Sequence, residues 1–196
     1  MNRIIGLMVA GIVATATVTA AEEPVVYTLE SGHTYPSFEV SHMGMSMWRG
    51  KFNRTTGKVW LDRQAKTGGL DVTIDTKTIN FGLAVMDHRA QNEDWFDTAR
   101  YPTATYKADS MTFNGDMPAV VNGLLTIRCI TKPVKMDIVR FKCMLHPMLE
   151  REVCGGSARA EFDRREYGMT HDIFDNDGSV RLQIEFEAFK GDTLPD

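Results

Sequence analysis

Apolar and polar side chains alternate with a period of two along most of this chain. The pattern is cleanest near the C-terminus, where Val180, Leu182, Ile184, Phe186 and Ala188 alternate with Arg181, Gln183, Glu185 and Glu187. Successive side chains of a strand point to opposite faces, so Ser179 to Lys190 predicts a strand with one dry face and one charged face. Leu70, Val72 and Ile74 against Asp71, Thr73 and Asp75 predict the same for Gly69 to Asp75. Further β-type runs fall at Val25 to Glu30, Pro36 to Met43, Gly57 to Asp62, Thr103 to Phe113, Ala119 to Ile127, Val134 to Lys142 and Val153 to Asp163. Pro36, Pro118 and Pro133 lie at or near strand starts, where a missing N–H is tolerated. The period changes only between residues 80 and 100. There Asp87 is placed to cap a short helix running to Asp94, and Trp95-Phe96 behind it is placed to plug one end of whatever the strands enclose. About eight or more alternating strands, short turns and almost no helix predict an antiparallel barrel or a sandwich. A last strand of this length can pair with the first, which removes exposed edges.

The N-terminus has a different pattern. Asn2-Arg3 is a short positive start, Ile4 to Val18 is an apolar run diluted with Gly, Ala and Thr, and small residues follow at Thr19, Ala20 and Ala21. This is the layout of a secretory signal peptide over residues 1–20, with cleavage after Ala20 or Ala21. A retained anchor needs about 20 strongly apolar residues; this run is shorter and rich in threonine, and no later segment qualifies. Residues 21–196 are then long enough for one domain with its own core. The formal net charge of −4, with no basic run, argues against nucleic acid, which needs a positive footprint. It argues equally against electrostatic docking on anionic headgroups.

Candidate chemistry is sparse. No G-x-S-x-G elbow follows a strand, no phosphate-cradling Gly-rich loop opens a helix, and Asp172 to Asp177 lacks the spacing and terminal Glu of a calcium loop. Cys143 and Cys154 flank the polar connection CMLHPMLEREVC. In an exported chain they read as a disulfide stapling a hairpin; the competing reading, a metal site of both thiolates with His146, matches no common zinc spacing. Cys129 falls in step with Leu125 and Ile127 and reads as a small buried side chain. Gly32 to Phe52 predicts the first hairpin, built around a Gly-Met turn. It also holds His42, Met43, Met45 and Met47, an imidazole and three thioethers of the kind that suit Cu(I). Methionine is equally a filler of apolar pockets, so pocket lining and a copper-carrier role both stand at this point. His33, His88, His146 and His171 read as turn, helix or loop residues.

Four groups of residues resemble one known family. They are Tyr27-Thr28-Leu29 with His33, Phe38-Glu39-Val40-Ser41-His42-Met43-Gly44 and Trp48-Arg49-Gly50-Lys51-Phe52; then Trp95-Phe96-Asp97 with Tyr101 to Tyr106; then Asn122 to Ile127 with Thr131-Lys132-Pro133-Val134; and Arg164 to Met169. In this order they resemble the YceI-like family of periplasmic, lipocalin-like proteins that bind polyisoprenoid chains. Cys129 departs from the pattern, since relatives commonly carry glycine there, and so does Pro36-Ser37. The resemblance implies an eight-stranded antiparallel lipocalin-like barrel with the short helix near Asp87 to Asp94. It also implies a periplasmic, non-enzymatic binding or carrier protein with no cofactor, holding a polyisoprenoid or an isoprenoid-tailed lipid such as a quinone. Barrels of about eight strands leave room for one small or chain-like ligand if the lining is not bulky. On the motif positions, the lining candidates are Phe38, Val40, His42, Met43, Trp48, Trp95, Phe96, Tyr167 and Met169, with Leu182, Ile184 and Phe186 behind them. A filled structural barrel without a ligand, a homodimer, and a membrane donor or acceptor for the lipid are left open by the sequence.

Overall fold

The computed structural model describes residues 23–174 and 176–195, so the signal-peptide reading of residues 1–20 lies outside the described residues. The strands are β1 (Val25–Leu29), β2 (Tyr35–His42), β3 (Ser46–Phe52), β4 (Thr55–Asp62), β5 (Thr67–Asp75), β6 (Ile79–Asn80), β7 (Thr103–Ala108), β8 (Met111–Asn114), β9 (Met117–Ile127), β10 (Ile130–Leu145), β11 (Glu152–Asp163) and β12 (Ser179–Lys190). Among the described residues a single α-helix, the short α1 (Ala84–Ala90), lies between β6 and β7. Every pairing in the sheet is antiparallel, and the order β1-β4-β5-β7-β9-β10-β11-β12 closes on itself because β1 also pairs with β12. The result is a closed eight-stranded barrel with no free edge in its ring.

Closure depends on β12, whose inner edge is long enough to serve two partners. Its Ala188 to Lys190 pair with Leu29 to Tyr27 of β1, and its Val180 to Glu185 pair with Val40 to Tyr35 of β2. The bend Glu30–Thr34 thus interrupts what is in effect one strand. Its near end completes the ring through β4, while its far end runs on into the β2–β3 hairpin and the short β6. Thr34 holds this junction to β12, its hydroxyl donating to Glu187 O at 3.0 Å and accepting from Glu187 N at 3.1 Å.

Several boundaries differ from the sequence reading, each for a local reason. The run Thr103 to Phe113 is two strands, β7 and β8, both pairing with β9. The helix starts before Asp87. Its N-cap position is Leu83, without a side-chain cap bond, and Asp87 lies in the first turn, where its carboxylate accepts from Phe81 N at 2.6 Å. Asp87 therefore pins the chain entering the helix. Cys129 is exposed, not buried: with Arg128 it forms the turn between β9 and β10, at φ of 60° and 51°. Two consecutive left-handed residues make the tight hairpin turn that matches strand twist. The alternation of Leu125 and Ile127 ends at that turn, and the left-handed φ explains why glycine suits the position.

Cys143 and Cys154 face each other in the β10–β11 ladder and are disulfide-bonded, with Cα atoms 4.0 Å apart. Glu152 lies within metal-ligand reach of both sulfurs, but the disulfide occupies the two thiolates that a metal site would need. His146 Nδ1 accepts from the backbone N–H groups of Met148 and Leu149 at 3.3 and 3.2 Å. Among the described residues no helix is long and apolar enough to cross a membrane.

Candidate functional site

The barrel interior is packed at one end around Phe52 and Trp95, packed at the disulfide end around Tyr27, Leu61 and Cys154, and hollow between them. At the first end, the chain between β6 and β7 folds back over the strands. Phe38, Phe52, Ile79, Ala90, Trp95 and Val180 pack together there, with Val40, Phe81, Phe96 and Leu182 against them. The rings meet edge to face or tilted, Phe52 on Phe96 at 5.4 Å and Phe38 on Phe81 at 5.2 Å between centroids. Tyr167, fully buried, closes the same region with its ring edge-on to Phe162 at 5.2 Å. The Arg164 guanidinium lies over the Trp95 ring at 4.9 Å. This matches the expectation that Trp95-Phe96 plugs one end.

Beside the plug, towards the disulfide, is a cavity of about 150 Å³ whose surface is apolar throughout. All eight ring strands line it. The period-two rows Leu70, Val72 and Ile74 of β5, Val134, Met136 and Ile138 of β10, and Leu182, Ile184 and Phe186 of β12 supply most of the wall. Space is left because two wall positions carry little bulk. Ala160 of β11 is one. The other is Gly123 of β9, where a Cβ would stand 2.5 Å from Tyr106 Cζ. The Tyr106 ring instead lies over the glycine. Its hydroxyl donates to Val134 O at 2.8 Å and accepts from Gly123 N at 3.0 Å.

The electrostatics are those of a neutral container. Among the described residues, no Asp, Glu, Lys, Arg or His lines the cavity. Burial pushes the Tyr106 phenol up to about 12, outweighing the bond from Gly123 N, so it stays neutral and its hydroxyl serves the wall. Burial likewise raises Tyr27, with its hydrogen bond to Glu152 next in weight. Among the described residues, Thr55 Oγ1 is a lining-residue polar atom with no hydrogen-bond partner.

A cavity left empty weakens a core by roughly 24 cal/mol per Å³, or about 3–4 kcal/mol at this volume. Apolar cavities of this kind stay dry and accept apolar guests. The wall therefore fits a hydrocarbon chain. At about 0.8 kcal/mol per buried CH₂, a chain occupant gains affinity in proportion to its length.

Of the residues named from the motifs, Leu182, Ile184 and Phe186 line the cavity. Phe38, Val40, Trp95 and Phe96 belong to the plug, and Tyr167 and Met169 to the buried core beside it. His42 stacks on Trp48 at 4.3 Å between ring centroids, in the extended β2–β3 hairpin beyond the ring. Met43 and Met45 are exposed in the turn of that hairpin. Met47 pairs with Ser41 while Trp48 pairs with Val40, so Met47 stands on the face opposite His42 and Trp48. An unbroken extended strand would put Met43, Met45 and Met47 on one face; the turn over residues 43–45 breaks that row. Most of the observed lining, including Val59, Leu61, Val121 and Phe141, was not singled out by the motifs. Its signal was alternation alone.

Comparison with known proteins agrees with this architecture. A UPF0312 protein of Shewanella denitrificans is 27% identical over 191 residues, covering 94% of this chain and 95% of the relative. The crystal structure of a Campylobacter jejuni YceI protein superimposes with a TM-score of 0.64 at 22% identity, over 78% of this chain and 91% of that one. A polyisoprenoid binding domain from Saccharophagus degradans, implicated in plant cell wall breakdown, gives a TM-score of 0.61 at 14% identity, over 84% and 98%. The two structural likenesses carry the fold. The YceI-like domain profile matches residues 27–188, from the middle of β1 to near the end of β12, and the chain accordingly belongs to the YceI-like family.

Proposed function

We propose that this protein is a periplasmic carrier or reservoir that holds a long apolar chain inside the barrel, either a polyisoprenoid or the tail of an isoprenoid lipid such as a quinone. The observation that carries the proposal is the cavity wall, apolar throughout and contributed by all eight ring strands. The fold shared with a polyisoprenoid binding domain supports the ligand class, and the signal-peptide pattern of residues 1–20 supports the compartment. The absence of any titratable lining group other than the neutral Tyr106 supports binding without catalysis or a cofactor. Head-group selectivity is weak in this reading, and chain length is the property the cavity reads.

The test is mass spectrometry of an organic extract of the protein purified from its native periplasm. The expected result is a polyprenyl or quinone species in near-stoichiometric amount. Extracts no richer than those of an unrelated periplasmic protein of similar size would overturn the proposal. A Gly123→Leu variant gives a second reading. Its side chain displaces the Tyr106 ring into the cavity, and the bound lipid should fall or shift to shorter chains.

A further inference from the structure

Buried clusters close the cavity at both ends. The aromatic plug stands at one, and Tyr27, Leu29, Leu61, Cys154 and Ala188 pack together at the other. A long chain therefore reaches the interior only if part of the wall moves. Movement is cheapest where the fewest ladder bonds and buried contacts break. Each ring strand is held on both edges, as β1 is by β4 and β12, and β5 by β4 and β7. Strand β8 is not. It lies off the ring path and, among the described residues, pairs with β9 alone. That ladder joins Met111 to Val121, Thr112 to Val120, Phe113 to Pro118 and Asn114 to Met117. Its register shifts between Thr112 and Phe113, and Pro118 has no N–H to contribute.

This weakly held strand is nevertheless part of the container. β7 covers β9 only from Leu124 to Thr126 and meets β5 only from Leu70 onward. β8 takes the same side of β9 from Val121 down to Met117, because β10 occupies the other side. It thus fills the wall between β9 and the first residues of β5, and no ladder joins it to β5 among the described residues. The seam is closed by side chains. Met111 lines the cavity, and its Sδ stands 3.1 Å from where a Cβ on Gly68 of β5 would lie. Phe113 packs beside it on the disulfide-end cluster. Both are half-buried, whereas Thr112 and Asn114 are exposed. An unbranched thioether lying over a glycine can swing aside without a backbone shift.

We propose that β8 is a lid in the barrel wall, and that an apolar chain enters and leaves between β8 and the start of β5, past Met111 and Gly68. The connections Asp109-Ser110 and Gly115-Asp116 bound the lid. The proposal rests on the chain-holding reading of the cavity and adds the route by which the chain is exchanged. Such a lid sets rates and not affinity, because it is shut both before and after the chain has passed.

The experiment uses diphenylhexatriene, a neutral apolar probe whose fluorescence rises on leaving water. Uptake is followed by stopped flow, and release by transfer to excess phosphatidylcholine vesicles. Phe113→Ala loosens the lid at a residue outside the cavity lining. T112C/V120C, at a facing pair, pins β8 to β9 when oxidised and frees it when reduced. C143S/C154S is the disulfide-end control, and the unsubstituted chain is read with and without reductant. Expected are uptake and release both at least about tenfold faster in Phe113→Ala and about tenfold slower in oxidised than in reduced T112C/V120C, with affinities within about twofold. Because the oxidised and reduced forms are one protein, that pair carries the test even where Phe113→Ala weakens the fold. Equal rates in oxidised and reduced T112C/V120C, or acceleration in C143S/C154S alone, would overturn the lid and leave the chain-holding reading standing. No uptake by the unsubstituted chain would remove both.

Discussion

At one end of the barrel, Phe38, Phe52 and Phe96 are packed ring against ring beside Trp95, Tyr167 has no exposed surface, and the buried Arg164 guanidinium lies over the Trp95 ring. At the other end, a disulfide crosses the last rungs of a hairpin, and beyond it Leu145 and Met148 face solvent. The first end is held by side-chain contacts alone, the second by the buried cluster of Tyr27, Leu29, Leu61, Cys154 and Ala188 together with a covalent link that mainly restricts the unfolded chain. The difference shows how a barrel can be stable and still hollow. Buried clusters at both ends frame the cavity between them, and the covalent link adds to the far one.

The comparison is broken most severely at Tyr167. Tyr167→Ala should lower stability by about 3–5 kcal/mol, the range for removing a buried aromatic. Its hydroxyl finds no hydrogen-bond partner among the described residues, and burial pushes the phenol up to about 12, with Glu166 adding to the rise. Tyr167→Phe should therefore change stability by less than about 0.5 kcal/mol, because no bond is lost. Urea unfolding of both variants checks the pair. A Phe variant as weak as the Ala variant would mean that the hydroxyl, and not the ring, holds the plug.

The next effect is at the other end. Cys143→Ser with Cys154→Ser should cost about 3 kcal/mol by loop-closure entropy, while the near-ultraviolet circular dichroism of the aromatic plug stays unchanged below the unfolding transition. Loss of that signal under native conditions would show the two ends to be one cooperative packing unit, against the division drawn here.

The same division explains which features could be read in the sequence. The wall strands were legible because alternation is a local property: Ser179–Lys190 appears as β12 with the predicted bounds, its inner row facing the cavity. The hairpin disulfide was legible from two cysteines flanking a polar turn. Cavity lining was harder to read, because distinctive residues attract attention and in this fold the distinctive residues fill space. Trp95, Phe96, Tyr167 and Phe38 are plug and core, whereas the lining is ordinary Val, Leu and Ile. A void is a shortage of bulk, set here by Ala160 and by the way Tyr106 covers Gly123, and no single position encodes it. The shared inner edge of β12 was hidden for a related reason. Its closure with β1 was expected, but the division of that edge between β1 and β2 depends on a bend at Glu30–Thr34 that no periodicity announces.

The smallest effect sharpens the plug end by its pH dependence. Asp163 caps the turn Arg164–Tyr167 by accepting from Arg165 N at 2.8 Å, and its carboxylate is paired with the Arg165 guanidinium. The side-chain bond from Arg165 holds the Asp163 carboxyl below the usual carboxylate range, against a smaller opposing effect of burial. A carboxyl depressed in the folded state adds stability that is present above its unfolded value of about 3.9 and is lost as pH falls through the folded value. Asp163→Asn should therefore be less stable than the unsubstituted protein at pH 7, by under about 1 kcal/mol because the pair is partly exposed. The gap should close as pH falls well below 4. Thermal unfolding of both proteins across that range measures it. A gap that persists at low pH would assign the loss to the turn's hydrogen bond to Arg165 N. A gap that vanishes assigns it to charge, leaving the plug's stability to the rings that Asp163 only helps to position.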